Sequence, residues 1–308
     1  MHPARFFSLI MLSCLVSGCS KTPASTSGDL RFPAELTTFS TYEGNPLFAG
    51  TGQDTWDHQI RERGYILREE DGYHLWYTGY NTARGSQMSL GYATSTDGIV
   101  WTRYGDRPIF DRTWTEDMMV VKHDGTYYMF AEGEGDIAHM LTSTDKVTWT
   151  EHGSLKVFQT TGEPLSPGPY GTPTVYIKDG IWHLFYERND EGIWLATSSD
   201  LEEWHNVQDT PVLKKGPEPY DMYGVALNQV LKHGDFYYAY YHGTPTEDWS
   251  EWNMNVAVSE DLITWEKYPG NPIVEENKSS GILVHDGTRY RLYTLHDRVD
   301  LHFSSGAD

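Results

Sequence analysis

The sequence predicts an all-β chain folded as a five-bladed β-propeller with about four antiparallel strands per blade. Three observations carry this. An alternating run, an Asp-Gly or Gly-Asp turn and an aromatic-rich alternating run recur together five times, at 67–77, 120–130, 175–186, 230–241 and 283–293. The turns open at residues 71, 124, 179, 234 and 286, in steps of 53, 55, 55 and 52, a period too long for one hairpin and suited to a larger unit. Out of phase with it runs a second pattern, at 90–104, 140–152, 193–207 and 255–268. There a strand and a Ser/Thr/Asp turn precede a short strand opened by Trp101, Trp149, Trp204 or Trp265, which brings the strand content of each period to that of one blade.

The individual elements follow from local chemistry. Asp-Gly suits the positive φ of a tight hairpin turn, and the aromatic and β-branched residues on either side suit pleated strands. The fifth unit has only a truncated third strand at 301–304, so the N-terminal strand around 46–48 is expected to supply its missing edge and close the ring. Residues 1–19 join a basic start (His2, Arg5) to a short apolar stretch and the ending Val16-Ser17-Gly18-Cys19. This reads as a lipoprotein-type signal peptide with Cys19 as the acylation site, too short to span a bilayer. Residues 20–35 read as a flexible Ser/Thr/Pro/Gly-rich tether and 36–308 as a single propeller domain. The expected location is the bacterial cell envelope, lipid-anchored and periplasmic or surface-exposed, with the anchor the only membrane contact.

Twenty-three Lys and Arg against 44 Asp and Glu leave a formal charge of −21, which repels nucleic acid and anionic headgroups and points to a neutral ligand. The sequence has no His-Glu-x-x-His, zinc-type Cys pair, phosphate-cradling Gly loop or Gly-x-Ser-x-Gly elbow, which argues against metalloprotease, nucleotide-dependent and serine-hydrolase chemistry.

In a propeller the first strand of each blade starts, and the second ends, at one mouth of the central channel. Those positions hold Arg61, Glu62 and Arg63 in blade one, Glu116, Asp117 and Glu132 in blade two, Tyr170, Gly171 and Glu187 in blade three, Asp221, Asn228 and His242 in blade four, and His296 and Asp297 in blade five. Gathered carboxylates cost repulsion and desolvation, so they signal proton chemistry, cation binding or recognition of sugar hydroxyls.

The chain resembles the five-bladed propeller glycosidase superfamily, which includes glycoside hydrolase families 43, 32, 62, 117 and 130. Glu62-Arg63-Gly64-Tyr65 with the partner strand Tyr73-His74-Leu75-Trp76-Tyr77 is similar to the family 32 blade-one pair, which implies Glu62 as the first catalytic carboxylate. Glu116-Asp117-Met118-Met119-Val120 resembles the Arg-Asp-Pro segment, which implies Asp117 as the second. The Glu-x-Pro acid motif corresponds to Gly171-Thr172-Pro173, so the acid must come from elsewhere: Glu187 first, then Glu132 and Glu163. His242 and His296 also remain candidates, since family 117 replaces that acid with a histidine.

The resulting expectation is a glycoside hydrolase acting on an oligo- or polysaccharide, with Glu62 as base, Glu187 as acid and Asp117 raising the acid's pKa. Inversion is the expected outcome. Arg61, Glu132, Tyr170, Asp221, Asn228, His242 and His296 are the expected substrate ligands. No cofactor is required and no metal site is assigned, although a structural cation such as calcium would suit His242, His296 and Asp297 in a wet channel. A monomer is expected. The alternatives are a noncatalytic glycan-binding propeller and a glycoside phosphorylase.

Overall fold

The computed structural model describes residues 30–305 apart from 86, 166 and 167. The signal segment with Cys19 and most of the tether lie outside the described residues. Five sheets follow one another around a central axis, antiparallel but for the short parallel pairing of 157–158 with Trp204 and His205 in the third. From the axis outward, blade one holds Tyr65–Glu69, Gly72–Tyr80, Ser89–Ser95 and Thr102–Arg103. Blade two holds Glu116–His123, Thr126–Gly133, Ile137–Ser143 and Thr150–Ser154. Blade three holds Gly171–Lys178, Ile181–Glu187, Gly192–Ser198 and Trp204–Asn206. Blade four holds Gly224–His233, Phe236–Thr244, Asn253–Ser259 and Glu266–Lys267. Blade five holds Gly281–His285, Tyr290–Leu295 and Arg298–Ser304, and its outermost strand is the N-terminal Phe39–Thr41.

Ring closure differs from the expectation in detail. The third strand of blade five is a full seven residues, long enough to pair with two N-terminal segments. Phe39–Thr41 pairs with Ser304–His302, and Phe48–Ala49 pairs with Val299–Arg298. Between them the Asn45 side chain stands in for a strand, its amide nitrogen donating to the Leu301 carbonyl and its oxygen accepting the Leu301 N–H. Residues at the end of the expected tether also pack on the propeller. Phe32 and Leu36 are buried, and the hydroxyls of Tyr238 and Tyr240 donate to the carbonyls of Arg31 and Leu36.

The second sequence repeat has a clear cause. In blades one to four a serine hydroxyl donates to the aspartate two residues on, at Ser95/Asp97, Ser143/Asp145, Ser198/Asp200 and Ser259/Asp261. Each aspartate Oδ1 then accepts two backbone N–H groups of the turn that leads to the Trp-opened strand. The hairpin turns at Asp124-Gly125 and Asp179-Gly180 have positive φ at both residues, as the Asp-Gly pairs require. Blade five departs from the pattern: its hairpin loop is longer, and Asp286 Oδ1 caps the N–H groups of Thr288 and Arg289.

Two blades share a buried lock at identical spacing. In blade one, Tyr77 donates to Asp57, which is paired with Arg103 at 2.7 Å. In blade four, Tyr241 donates to Asp221, which is paired with Lys267 at 2.5 Å. Removing one partner of a buried ion pair strands the other charge. Lys267→Met is therefore expected to destabilise the fold by about 3 kcal/mol, and adding Asp221→Leu to recover part of that loss in urea denaturation.

Candidate functional site at the propeller mouth

Each of the five blades begins its path at the axis with a residue in left-handed or bulged backbone. The ladders are interrupted between Glu116 and Met119, between Gly171 and Thr174, and between Leu227 and Gln229. At these breaks lie Asp117 (φ 48°), Thr172 (φ 45°) and Asn228, and at the same phase in blades one and five lie Arg63 (φ 52°) and Ser280 (φ 56°). A bulge re-aims a side chain out of the sheet's alternation. Here that places one polar residue per blade around the axis.

Blades one to three form an acidic side. Glu116 is buried, takes Arg61 at 2.9 Å and accepts the Trp114 indole N–H at 2.6 Å. Burial, with the neighbouring charges of Glu116 and Glu62, holds the Asp117 carboxyl well above the usual range, although Arg63 and Arg61 pull it down. Burial and Asp117 likewise raise Glu132. The Thr172 hydroxyl lies 3.5 Å from Asp117 Oδ2 and 3.3 Å from Glu132 Oε2, and the Thr172 N–H donates to Glu132 at 2.7 Å.

Gly171 has a direct role in this geometry. A Cβ there would lie 2.8 Å from Glu187 Oε1 and closer still to Glu132 Oε2, so two carboxylates fill the space a side chain would take. Glu187 faces Gly171 across the strand pair and accepts the Asp190 N–H at 2.7 Å. Burial and Asp190 push Glu187 up to about 7, and burial and Asp136 push Asp190 up to about 6. Between the acids runs Arg63, fully buried, donating to the carbonyls of Asp117 and Pro173 and to the Thr174 hydroxyl. Burial lowers its pKa to about 10 against the pull of Asp117, Glu132 and Glu187.

Blades four and five form a neutral side. Asn228 Nδ2 donates to His242 Nδ1 at 2.9 Å, which leaves the imidazole proton on Nε2. Burial, reinforced by Arg63 and His296, lowers His242 to about 3, so this ring stays neutral. His296 Nδ1 lies 2.9 Å from the Ser279 hydroxyl, and the Trp252 ring stands edge-on to His242 at 5.0 Å.

The structure thus gathers Glu62, Asp117, Glu132, Glu187, Asn228, His242 and His296 at one end of the axis, with the charge of Arg63 felt by Asp117, Glu132, Glu187 and His242. Glu62 is partly exposed, 3.5 Å from Arg61. Other expected residues serve the framework. Tyr170 is turned inward, its hydroxyl donating to the Leu155 carbonyl, because its backbone is tied between Asp136 and Ala138. Asp221 belongs to the blade-four lock, where Lys267 and Tyr241 both bind its Oδ2. Arg61 is bound to Glu116. Asp297 is turned outward and Glu163 is exposed in its loop. Nor does Asp117 act as expected: the charges that raise Glu187 most are those of Asp190 and Asp136, while Asp117 acts on Glu132.

Arg63, Thr172 and Asp190 were not singled out as site residues from the sequence. The repeat held the signal for the first two, since Arg63, Asp117, Thr172, Asn228 and Ser280 are spaced by the blade period. Among the described residues the one close group of metal-type ligands is Glu69, Asp71 and His74, at the opposite, hairpin end. There the Lys146 ammonium sits 2.8 Å from Glu69, 2.8 Å from Asp71 and 3.0 Å from His74, where a cation would be.

Residues 172–288 match the glycosyl hydrolases family 32 N-terminal domain. Over 209 residues, 64% of this chain and 69% of the relative, the sequence is 26% identical to a 1,2-beta-oligomannan phosphorylase of Thermoanaerobacter sp.. The fold superposes on a beta-1,2-mannobiose phosphorylase from Listeria innocua with a TM-score of 0.66 at 15% identity, covering 86% of this chain and 95% of that one. It superposes on a glycosyl hydrolase from Bacteroides ovatus with a TM-score of 0.67 at 14% identity, covering 87% and 93%. This is the fold of the five-bladed propeller glycosidases.

The raised Glu187 sets a pH dependence. A carboxyl whose folded pKa exceeds its unfolded value binds the proton more tightly when folded, so its contribution to stability is complete below the unfolded pKa and lost as pH rises through about 7. Glu187→Gln, which cannot ionise, is expected to gain on the wild type by about 1–3 kcal/mol between pH 5 and pH 8 in thermal melts.

Proposed function

We propose that this chain is a glycoside-cleaving enzyme acting on a neutral oligosaccharide, with Asp117 as the general acid and Glu62 as the carboxylate that activates water. The observation that carries this reading is the setting of Asp117, half-buried at a left-handed bulge on the axis, with its carboxyl pushed well above the usual range by desolvation and the charges of Glu116 and Glu62. A carboxyl pushed toward its neutral form can give its proton to the departing glycosidic oxygen, while Glu62 takes one from water. Glu132 and Glu187, also raised, suit hydroxyl recognition beside it. The neutral His242 and Asn228 face them from the other side of the axis and suit the same task. The mannoside relatives make β-1,2-linked mannose the first substrate to test. The N-terminal segment with Cys19 fits the same role, as a lipid anchor holding the enzyme at the envelope.

Phosphorolysis is the second reading, favoured by the Thermoanaerobacter relative. Against it, the two arginines nearest the acids are engaged: Arg61 with Glu116 and Glu62, and Arg63 with backbone carbonyls. Reducing-sugar release from β-1,2-mannobiose in phosphate-free buffer, then with added phosphate, separates the two. Turnover without phosphate is expected, and strict dependence on phosphate would select phosphorolysis. Asp117→Asn is expected to lower kcat by about 10²–10⁴-fold, with Glu187→Gln costing less. Wild-type activity should fall as pH rises through the titration of Asp117. Binding with no turnover of any glycan would leave a lectin-like propeller in place of an enzyme.

A further inference from the structure

The mouth face of blade four carries a cleft of about 1100 Å³ that the cleavage chemistry leaves unused. Its walls come from the segments before Gly224, after Thr244, before Asn253, after Glu266 and before Gly281. These are the ends of blade four and the start of blade five that face the mouth, so the cleft opens on the same side as the carboxylates.

Two of its residues also belong to the neutral wall of the site. Trp252, which lines the cleft, stands edge-on to His242, and its backbone N–H donates to Asn277 Oδ1 at 2.9 Å. Asn277, also in the lining, reaches His296 with its Nδ2 at 3.5 Å. Trp249, half exposed, continues the aromatic surface at 6.3 Å from Trp252.

The lining selects a chemistry. Trp252, Tyr220 and Tyr268 offer apolar ring surface among prolines, and carboxylates and amides stand between them. That mixture suits a ligand with apolar faces and hydroxyl edges. Acidic residues, Glu218 and Glu251 among them, disfavour an anion, and the one lysine in the lining is already paired with Asp221. The volume exceeds what a single small ligand usually fills.

We propose that this cleft is a distal binding region for the same neutral oligosaccharide, so that a chain cleaved beside Asp117 lays its further sugar units over blade four against Trp252 and Tyr220. The proposal rests on the glycoside-cleaving reading and adds to it a preference for chain length.

The test uses β-1,2-linked mannooligosaccharides of two to five units as probes. With the full-length protein, kcat/KM is expected to rise by about tenfold or more from the shortest to the longest, and Trp252→Ala and Tyr220→Leu each to bring that ratio close to one. In parallel, tryptophan fluorescence of Asp117→Asn is titrated with the two-unit and five-unit probes. Tighter binding of the longer one, lost when Trp252→Ala is added, is the expected result. Turnover with equal kcat/KM at every length, unchanged in both cleft variants, overturns the distal region and leaves the cleavage reading intact. Length-dependent binding without turnover supports the cleft and removes the enzyme. Neither binding nor turnover overturns both.

Discussion

A single guanidinium at the axis holds the working end of this propeller together. Arg63 is fully buried, and its donors reach blades two and three through the carbonyls of Asp117 and Pro173 and the hydroxyl of Thr174. Those carbonyls flank the left-handed residues Asp117 and Thr172, a backbone state that bulky side chains seldom adopt unless their surroundings enforce it. Arginine suits the task because it stays charged and presents several donors in a fixed plane. Its charge also offsets the cost of burying Asp117, Glu132 and Glu187 so close together.

Around that cation the mouth is divided by chemistry. On one side, burial and mutual repulsion keep carboxyls protonated at pH values where free ones would ionise. On the other, burial keeps His242 neutral. The space between them has carboxyls with raised pKa values on one flank and uncharged hydrogen-bonding groups on the other. The far end of the propeller does the opposite. There Lys146 ties Glu69, Asp71 and His74 into a salt link between blades one and two, an arrangement that braces the ring.

Gly171 makes room for two carboxyls at the axis. Where the resembling families carry a glutamate, this chain has no side chain, and the carboxyls of Glu132 and Glu187 come in from neighbouring strands to share the vacated space. A larger residue there would collide with both, so the glycine and the two glutamates form one structural unit.

The propeller was readable from the chain because its determinants are local and repeated. Asp-Gly turns, Ser-x-Asp turns and their tryptophans act within a few residues of one another, and the same short pattern returns in successive blades. The mouth was partly readable: Asp117, Glu132, Glu187, Asn228 and His242 follow from where strands begin and end. The roles of Tyr170 and Asp221 were not, because a partner from another strand decides whether a polar group faces ligand or framework. Leu155 takes the hydroxyl of the first, and Lys267 the carboxylate of the second. Arg63 stayed hidden for a related reason. The strand pattern places it at the mouth of blade one beside Glu62, but only the closing of the ring takes it out of water and among the carbonyls of two other blades. The sequence by itself determined the blades and their order, since hydrogen bonds between near neighbours specify them. Tertiary structure decided which charges are buried together, and so which carboxyls keep their protons, because burial and the charges of other blades exist only once the ring has closed.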